Sequence, residues 1–264
     1  MGLDLRSKFF ATLACLCHYA PKGRSRMALW FLRFASKGPV TPSIYGPLFQ
    51  TRWPDATFKF CISGMYGRYF SDFLRDFAYP YSFIDIGANI GLYSLVAASA
   101  PNCRKCYAFE PNPPIFDSLR QNIAFNNATS VEAYNLAISD REGELHFSSV
   151  DVHSGVGRIV ADPDSSTITV KAVDRAIFEA IGTADPGPKI VKIDVEGHEP
   201  IVIEQLMQSS IWPDIRYLYF EANYERYDVS GLIETLEAGG MKKLCQIDQA
   251  GDINLMFEQA RDSR

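Results

Sequence analysis

Five ionisable side chains lie within residues 190–200, which read IVKIDVEGHEP. The stretch begins as an apolar strand and then places Lys192, Asp194, Glu196 and His198 at every second position. Side chains alternate between the two faces of a strand, so the lysine and both carboxylates are expected on one face. Charged groups are costly to bury without partners. The pattern is therefore typical of a strand end that opens into a site, where such groups bind ligands or move protons.

Each charge also has a structural interpretation. Glu199 and Pro200 indicate the first turn of a helix, where proline fits and a carboxylate offsets the positive helix end. Lys192 is expected to be the charge partner that lets Asp194 and Glu196 lie together. We favour the structural role for Glu199 and a role in a site for Asp194 and Glu196.

The elements around this stretch alternate between strands and helices from residue 81 onward. This order predicts a doubly wound, mostly parallel, seven-stranded α/β sheet with helices on both faces. The last two strands, KKLCQI and INLMFE, are joined by a short turn, so one of them must be antiparallel. Residues 140–170 predict an added hairpin, and ATFKFCI near residue 60 predicts a short strand. Ligands of such sheets bind beyond the carboxyl ends of the strands.

A glycine turn follows the first strand in FIDIGANIG, residues 83–91. A dinucleotide site normally reads G-x-G-x-x-G, but here Asn89 stands between Gly87 and Gly91. Asp85 precedes the turn, and its charge would repel a pyrophosphate but suit an ammonium group. S-adenosylmethionine has an amino acid end and a sulfonium but no phosphate. The turn therefore favours S-adenosylmethionine over a nicotinamide cofactor.

The next strand ends in AFEPN, with Glu110 placed 23 residues after Gly87. A carboxylate about 20 residues beyond the glycine turn can accept hydrogen bonds from ribose hydroxyls. Asn135, after the third strand, is a candidate to line an adenine pocket or to cap a turn. The stretch Asn112-Pro113-Pro114-Ile115 looks like the N-P-P-aromatic motif of enzymes that modify flipped bases. It follows the wrong strand and lacks the aromatic residue, so we expect no nucleic-acid partner.

Taken together, these stretches resemble the FkbM-type methyltransferases of the class I, Rossmann-like fold. The resemblance covers about residues 82–222 and rests on FIDIGANIGLYS, YAFEPNPPIFDSLRQNIAFNN, NLAISDREGEL, VKIDVEGHEPIVIEQL and YLYFEAN, in that order. It implies methyl transfer to a hydroxyl of a sugar, a lipid-linked saccharide or a related natural product. The residues that it assigns to the cofactor are Asp85, Gly87, Asn89, Gly91, Glu110 and Asp194.

Methylation of a hydroxyl requires a base, because a protonated sugar hydroxyl is a poor nucleophile. His198 is the best match by pKa, and Glu196 is placed to orient it or to hold an acceptor hydroxyl. Glu221, at the end of the next strand in YFEANY, is the third candidate. No metal site is predicted. Two alternatives share the pattern: a module that binds the cofactor without catalysis, and an NAD-dependent oxidoreductase.

The first sixty residues differ in charge from the rest. They hold nine Lys/Arg against two Asp/Glu, a net charge of +7, whereas the whole chain has −5, which leaves −12 for the remainder. Residues 1–60 are predicted to be a basic helical arm, and residues 61–264 the methyltransferase domain. The apolar part of FFATLACLCHYA is too short to span a bilayer.

Two interpretations of the arm stay open. RSRMALWFLRFASKG places apolar residues at helical spacing among basic ones. The apolar residues are Met27, Trp30, Phe31 and Phe34, and the basic ones are Arg24, Arg26, Arg33 and Lys37. Such a helix either packs over the catalytic body or rests on an anionic membrane through residues 1–37.

The six cysteines show no paired metal spacing, which fits reduced thiols. We therefore expect a cytoplasmic protein, with peripheral contact at the inner face of the membrane as the alternative.

Overall fold

A computed structural model describes residues 3–17, 24–150, 152–165, 167–249 and 252–260. The parts of the arm at residues 1–2 and 18–23 lie outside this range. The strands are β1 (Val40–Pro42), β2 (Leu48–Gln50), β3 (Tyr81–Ile86), β4 (Cys103–Phe109), β5 (Val131–Tyr134), β6 (Ala137–Ile138), β7 (Gly143–Ser148), β8 (Arg158–Ile159), β9 (Thr167–Val173), β10 (Lys189–Ile193), β11 (Ile215–Ala222), β12 (Met241–Gln249) and β13 (Asp252–Gln259). The helices are α1 (Leu5–Cys17), α2 (Arg24–Ala35), α3 (Ala56–Ser63), α4 (Tyr69–Asp76), α5 (Leu92–Ser99), α6 (Pro113–Phe125), α7 (Ala176–Ala184), α8 (Glu199–Met207) and α9 (Val229–Ala238).

The main sheet has seven strands in the order β12-β13-β11-β10-β3-β4-β5. The pairs from β11 to β5 are parallel, and β13 runs antiparallel to both β11 and β12. This confirms the predicted doubly wound, mostly parallel seven-stranded fold. Chain order reverses between β3 and β10, which lie side by side. The glycine turn after β3 therefore faces the carboxylates after β10, at the point where such sheets bind ligands.

Burial on both faces explains why these strands are nearly continuous apolar runs. Phe83 and Ile190 are register partners and belong to one hydrophobic cluster, which extends into α4 and α5. The next pair, Ile84 and Val191, belongs to a second cluster with α7, α8 and α9 on the opposite face. The alternation of side chains thus divides the core into two layers.

The segment around residue 60 is a helix, so its prediction as a strand was wrong. Asp55 is the N-cap of α3, and its carboxylate accepts a hydrogen bond from the Thr57 backbone N–H at 2.9 Å. Burial falls on Phe58, Cys61 and Ile62, a spacing that fits one face of a helix. The N-cap aspartate was the sequence signal that could have corrected the prediction.

The N-terminal helices are part of the same core as the sheet. Leu32 of α2 and Phe58 of α3 are fully buried in the cluster that holds Phe83. The short β1–β2 pair follows α2 and precedes α3 in the chain, and its Phe49 is also fully buried. Within the described residues, the helices are all too short or too polar to cross a membrane.

The insertion forms a second sheet of four strands in the order β6-β9-β7-β8. The predicted hairpin corresponds to the antiparallel pair of β7 and β9. Between β7 and β8 the chain makes a single 3₁₀ turn, Ser154–Val156, which packs on α3. The insertion therefore reaches α3, which borders the carboxyl ends of the main-sheet strands.

Candidate active site

A cavity of about 430 Å³ lies at the carboxyl ends of β3, β4, β10 and β11. This volume is within the range of about 300–1,000 Å³ that is typical of small-molecule sites. Side chains of α3 and of the insertion form its other walls. The residues that the strand ends contribute are Ile86, Gly87, Ala88, Asn89, Phe109, Glu110, Pro111, Asp194, Val195, Glu196, Tyr219 and Glu221.

Lys192 connects the two central strands beneath this cavity. Its ammonium lies 3.4 Å from the Asp85 carboxylate and 3.2 Å from that of Asp194, and it donates to the Gly87 carbonyl at 2.9 Å. Burial lowers the pKa of Lys192, but the charges of Asp194 and Asp85 outweigh it and raise the pKa above the ordinary value. The lysine is a charge partner, as predicted, but for Asp194 and Asp85 rather than for Asp194 and Glu196.

Asp85 is placed below the cavity and does not line it. It is 1% exposed, and its carboxylate accepts hydrogen bonds from the backbone N–H and the hydroxyl of Ser94 at 3.1 and 2.6 Å. This anchors the start of α5 to the strand. Asp85 can therefore affect a ligand through its ion pair with Lys192, whereas the sequence predicted that Asp85 contacts the cofactor directly.

The glycine turn after β3 is shaped by close contacts within the protein. Gly87 has φ +78°, and a Cβ there would lie 1.8 Å from the Asp194 carbonyl oxygen, so only glycine fits. Gly91 has φ +92°, and a Cβ would lie 2.5 Å from a methyl of Leu119. Gly87 lines the cavity, whereas Gly91 does not. The second glycine lets α5 begin close to α6.

Glu110 joins the glycine turn to the end of β4. One carboxylate oxygen accepts the Asn89 backbone N–H and the other the Asn112 backbone N–H, both at 2.9 Å. Burial raises the pKa of Glu110 to about 7, although these donors lower it. A carboxylate has about four lone-pair positions, so these two donors leave two of them unused, and Glu110 lines the cavity. Asn112 itself is the N-cap of α6, which accounts for the Asn-Pro-Pro stretch.

Asn89 and Asn135 differ in what their side chains do. Asn89 has φ +50° and lines the cavity. Its side-chain oxygen accepts a hydrogen bond from the Ile90 N–H and lies 3.2 Å from the Ser154 hydroxyl. Asn135 donates to the carbonyls of Glu110 and Pro111, both at 2.9 Å, and is not a lining residue. The prediction of Asn135 on an adenine pocket is therefore corrected to its alternative, a residue that fastens a turn.

One wall of the cavity comes from residues that the sequence analysis missed. Ser154 donates its hydroxyl to Asp55 at 2.9 Å, and the Gly155 N–H donates to the Thr57 hydroxyl at 2.8 Å. The ring of His153 meets Phe60 edge-on, with centroids 5.8 Å apart. These contacts hold the 3₁₀ turn of the insertion against α3, about a hundred residues away in sequence. No local pattern predicts such a pairing.

Three carboxylates converge at the other end of the cavity. Oxygen atoms of Asp194, Glu196 and Glu221 lie within 4.8 Å of one another. β10 ends at Ile193, and Glu196 has φ +56°, so the predicted alternation does not continue to it. Glu196 instead forms an ion pair with Arg226, which the sequence analysis also missed. Oxygen ligands of this kind suit Mg²⁺ or Ca²⁺; the expected absence of a metal stays a prediction.

His198 lies at the same end and lines the cavity. Its Nε2 is 3.1 Å from the Ser139 hydroxyl, which comes from the chain just after β6. Burial lowers the pKa of His198 below its ordinary value, against the opposing charge of Asp140. The imidazole is therefore largely neutral at pH 7. Glu196 was predicted to orient it, but the observed partner is Ser139.

Glu199 has the structural role that the sequence favoured. It is 1% exposed, and its two carboxylate oxygens accept the backbone N–H groups of Val195 and Gly197 at 2.9 Å each. Burial raises the pKa of Glu199 to about 7. The side chain thus fixes the turn that presents Asp194, Glu196 and His198.

Comparison with known proteins agrees with this geometry. A family model described as the methyltransferase FkbM domain matches residues 85–260. Hexuronic acid methyltransferase AglP of Haloferax volcanii is 27% identical over 56% of this chain and 59% of its own length. Methyltransferase sdnD of Sordaria araneosa is 33% identical over 43% of each chain. The chain therefore spans about half the length of these curated relatives.

The chain is also similar to solved methyltransferase structures, at low identity. The ribosomal protein L11 methylase of Lactobacillus delbrueckii is 11% identical, with a TM-score of 0.41 over 78% of this chain and 79% of its own. The family match extends from Asp85, in the strand before the glycine turn, through the carboxylates after β10 and β11 to residue 260. It thus covers two thirds of the sequence and most of the cavity, and the chain belongs to the FkbM methyltransferase family.

Proposed function

We propose that this protein transfers a methyl group from S-adenosylmethionine to a hydroxyl of a saccharide or a related natural product. The observation that carries the proposal is Glu110. Its carboxylate lines the cavity beside the glycine turn, is fixed there by two backbone donors, and has two further acceptor positions that these donors do not use. Two neighbouring hydroxyls of a ribose match this arrangement.

The other strand ends support the same cofactor. Asp194 lines the cavity, and its side chain is 36% exposed, so it can pair with the ammonium of an amino acid end. Asn89 stands where a dinucleotide site would need glycine to admit a pyrophosphate. When bound, S-adenosylmethionine supplies an activated methyl group on its sulfonium. The protein must then align the acceptor and remove its proton.

The acceptor side is the end that holds His198, Glu196 and Glu221. The neutral imidazole can accept a proton at Nδ1 when Nε2–H donates to Ser139. Glu196 is already engaged in its ion pair with Arg226, so it is not the preferred base. Glu221 is the alternative base. Glu196 and Asp194 are suited to accept hydrogen bonds from other acceptor hydroxyls.

The class of acceptor is inferred from the relatives. AglP is named as a methyltransferase of hexuronic acid, which is a sugar. Several carboxylates and an arginine around one end of a cavity are groups that hydrogen-bond to the many hydroxyls of a saccharide. A saccharide hydroxyl is therefore the proposed acceptor atom.

The test has two parts. Calorimetry with S-adenosylmethionine and with NAD asks which cofactor binds, and methyl-labelled S-adenosylmethionine then asks which acceptor receives the label. The acceptor panel contains neutral and acidic saccharides, with an oligonucleotide as the comparison. We expect S-adenosylmethionine to bind and the label to appear on a saccharide as an ether. Tighter binding of NAD, or label only on the oligonucleotide, would refute the proposal.

A further inference from the structure

The N-terminal helices expose apolar side chains that the body of the protein does not. Six of the thirteen large hydrophobic residues that are exposed in the described part of the chain lie on α1 and α2. These six, between 40% and 86% exposed, form what we call the aromatic patch: Leu5, Phe9, Leu16, Met27, Trp30 and Phe34. Two helices thus hold nearly half of such residues, so their exposure is not the ordinary scatter of single side chains.

The patch is continuous across both helices. Leu5, Phe9 and Leu16 follow one stripe of α1, and Met27, Trp30 and Phe34 follow one stripe of α2, because residues three or four apart share a helix face. Ring contacts join the two stripes. Phe10 lies with its centroid 5.5 Å from Phe9 and 5.4 Å from Phe34, and Phe34 lies 4.8 Å from Trp30.

Exposed cations lie on the same two helices. Arg6 and Lys8 lie on α1, Arg26 and Arg33 on α2, and Lys37 just beyond it. The acid among them is Asp4, which pairs with Lys37 at 3.3 Å. The first sixty residues carry +7 and the remainder −12. An anionic surface would therefore attract this face and repel the rest of the molecule, which fixes the orientation.

We infer that the aromatic patch docks on the surface of an anionic lipid bilayer. Tryptophan and phenylalanine favour the interface between headgroups and acyl chains, and arginine and lysine around them pair with anionic headgroups. A second copy of the chain fits less well. A symmetric dimer through this face would oppose its own cations, Arg6, Lys8 and Arg26, across the interface.

A series of side-chain contacts links the docked face to the cavity. Arg33 of α2 lies over the ring of Trp53 at 5.1 Å, and Trp53 meets Phe58 of α3 edge-on at 5.5 Å. Two further residues of α3, Phe60 and Cys61, line the cavity. Docking would thus hold one wall of the site near the bilayer. The inference about docking itself does not depend on the proposed methyl acceptor.

Co-sedimentation with vesicles tests the inference on the full chain. The protein should pellet with vesicles of phosphatidylcholine and phosphatidylserine, pellet much less with phosphatidylcholine alone, and be released by salt. The double variant Trp30→Ser/Phe34→Ser should bind at least roughly tenfold more weakly, because each side chain loses its burial in the interface. Lys8→Glu/Arg26→Glu should also weaken binding, by roughly fivefold or more for each charge.

Matched controls come from exposed residues elsewhere. Tyr79→Ser removes an aromatic side chain that is more exposed than Trp30 and Phe34, and Arg141→Glu reverses an exposed charge, both outside the arm. These controls should bind like the wild type. Thermal unfolding and gel filtration with light scattering verify that all variants fold and report their mass.

Three results would overturn the inference. One is a wild-type protein that does not pellet with anionic vesicles at low salt. Another is a control variant that loses as much binding as the patch variants, which would place the lipid contact elsewhere. The third is a wild-type dimer that becomes monomeric in Trp30→Ser/Phe34→Ser without any vesicle binding, which would show that a second copy covers the patch.

Discussion

The two ends of the cavity are built from different kinds of contact. At the end with Glu110, carboxylates accept backbone N–H groups within one continuous stretch, residues 85–112. At the end with His198, side chains pair with side chains distant in sequence: Glu196 with Arg226, thirty residues later, and His198 with Ser139, fifty-nine residues earlier. A site held by its own backbone tolerates little change. Contacts between distant side chains can be changed by single substitutions while the end with Glu110 is kept.

The sharpest test of this division is His198→Ala. Loss of a positioned base should lower the turnover number by about 10²–10⁴-fold. Affinity for S-adenosylmethionine should stay within about twofold, because His198 is not in contact with the Glu110 end. Turnover at saturating acceptor and calorimetry are measured side by side. Glu221→Gln is the comparison, and normal turnover of His198→Ala would transfer the role of base to Glu221.

A change of similar size in free energy is expected for Lys192→Met, which removes the ion pairs of Lys192 with Asp85 and Asp194. It leaves the Asp85 and Asp194 carboxylates without their cation. Removing one partner of a buried pair typically costs about 3–5 kcal/mol in the free energy of unfolding. Denaturant titration measures it. Lys189→Met, in the same strand at its other end, is the matched control and should leave cofactor affinity unchanged in the folded protein.

A smaller effect is expected for Glu110→Ala. The loss of hydrogen bonds to a charged group costs about 1.5–3 kcal/mol, which weakens S-adenosylmethionine binding roughly ten- to a hundredfold. Calorimetry measures this affinity. Glu142→Ala, at an exposed position in the insertion, is the control and should bind like the wild type. Unchanged affinity in Glu110→Ala would mean that this end does not hold the ribose.

The smallest expected effect is a dependence on pH. The pKa of Glu110 is raised to about 7 in the protein without ligand. Only the ionised carboxylate offers all its acceptor positions, so affinity for S-adenosylmethionine should fall as the pH drops through 7. From about pH 8 to about pH 6 the fall should reach roughly tenfold, the change in ionised fraction for such a pKa. Glu110→Gln should bind more weakly but without this slope.

The same raised pKa values have an opposite consequence for stability. Glu110 and Glu199 both titrate near 7 when folded, well above the ordinary value of 4.5. Folding therefore favours their protonated forms. Their contribution to the free energy of unfolding is fully present below the ordinary pKa of 4.5 and is lost as the pH rises from there to the folded pKa of about 7. Ionisation of Glu110 as the pH rises would thus raise the affinity for S-adenosylmethionine and lower the free energy of unfolding.

The sequence predicted the elements that follow local rules. The alternation of strands and helices predicted the seven-stranded sheet, and the sequence placed Gly87 and Glu110 at strand ends, where both line the cavity. It failed where the local pattern was ambiguous. ATFKFCI alternates over a few residues like a strand, but its burial follows a helix that Asp55 caps. Asn135 and Gly91 stand in the right motifs, yet their contacts are with the protein's own chain.

What the sequence determined by itself is therefore the fold, the family and the position of the site at the carboxyl ends of the strands. These depend on periodicity, glycine conformation and the spacing of carboxylates, which are properties of short stretches. Only the tertiary structure decided that Arg226 holds Glu196, that Ser139 holds His198 and that the Ser154 turn closes one wall on α3. Ion pairs and hydrogen bonds between distant side chains depend on how the sheet, the helices and the insertion pack together, and no short stretch of sequence contains that information.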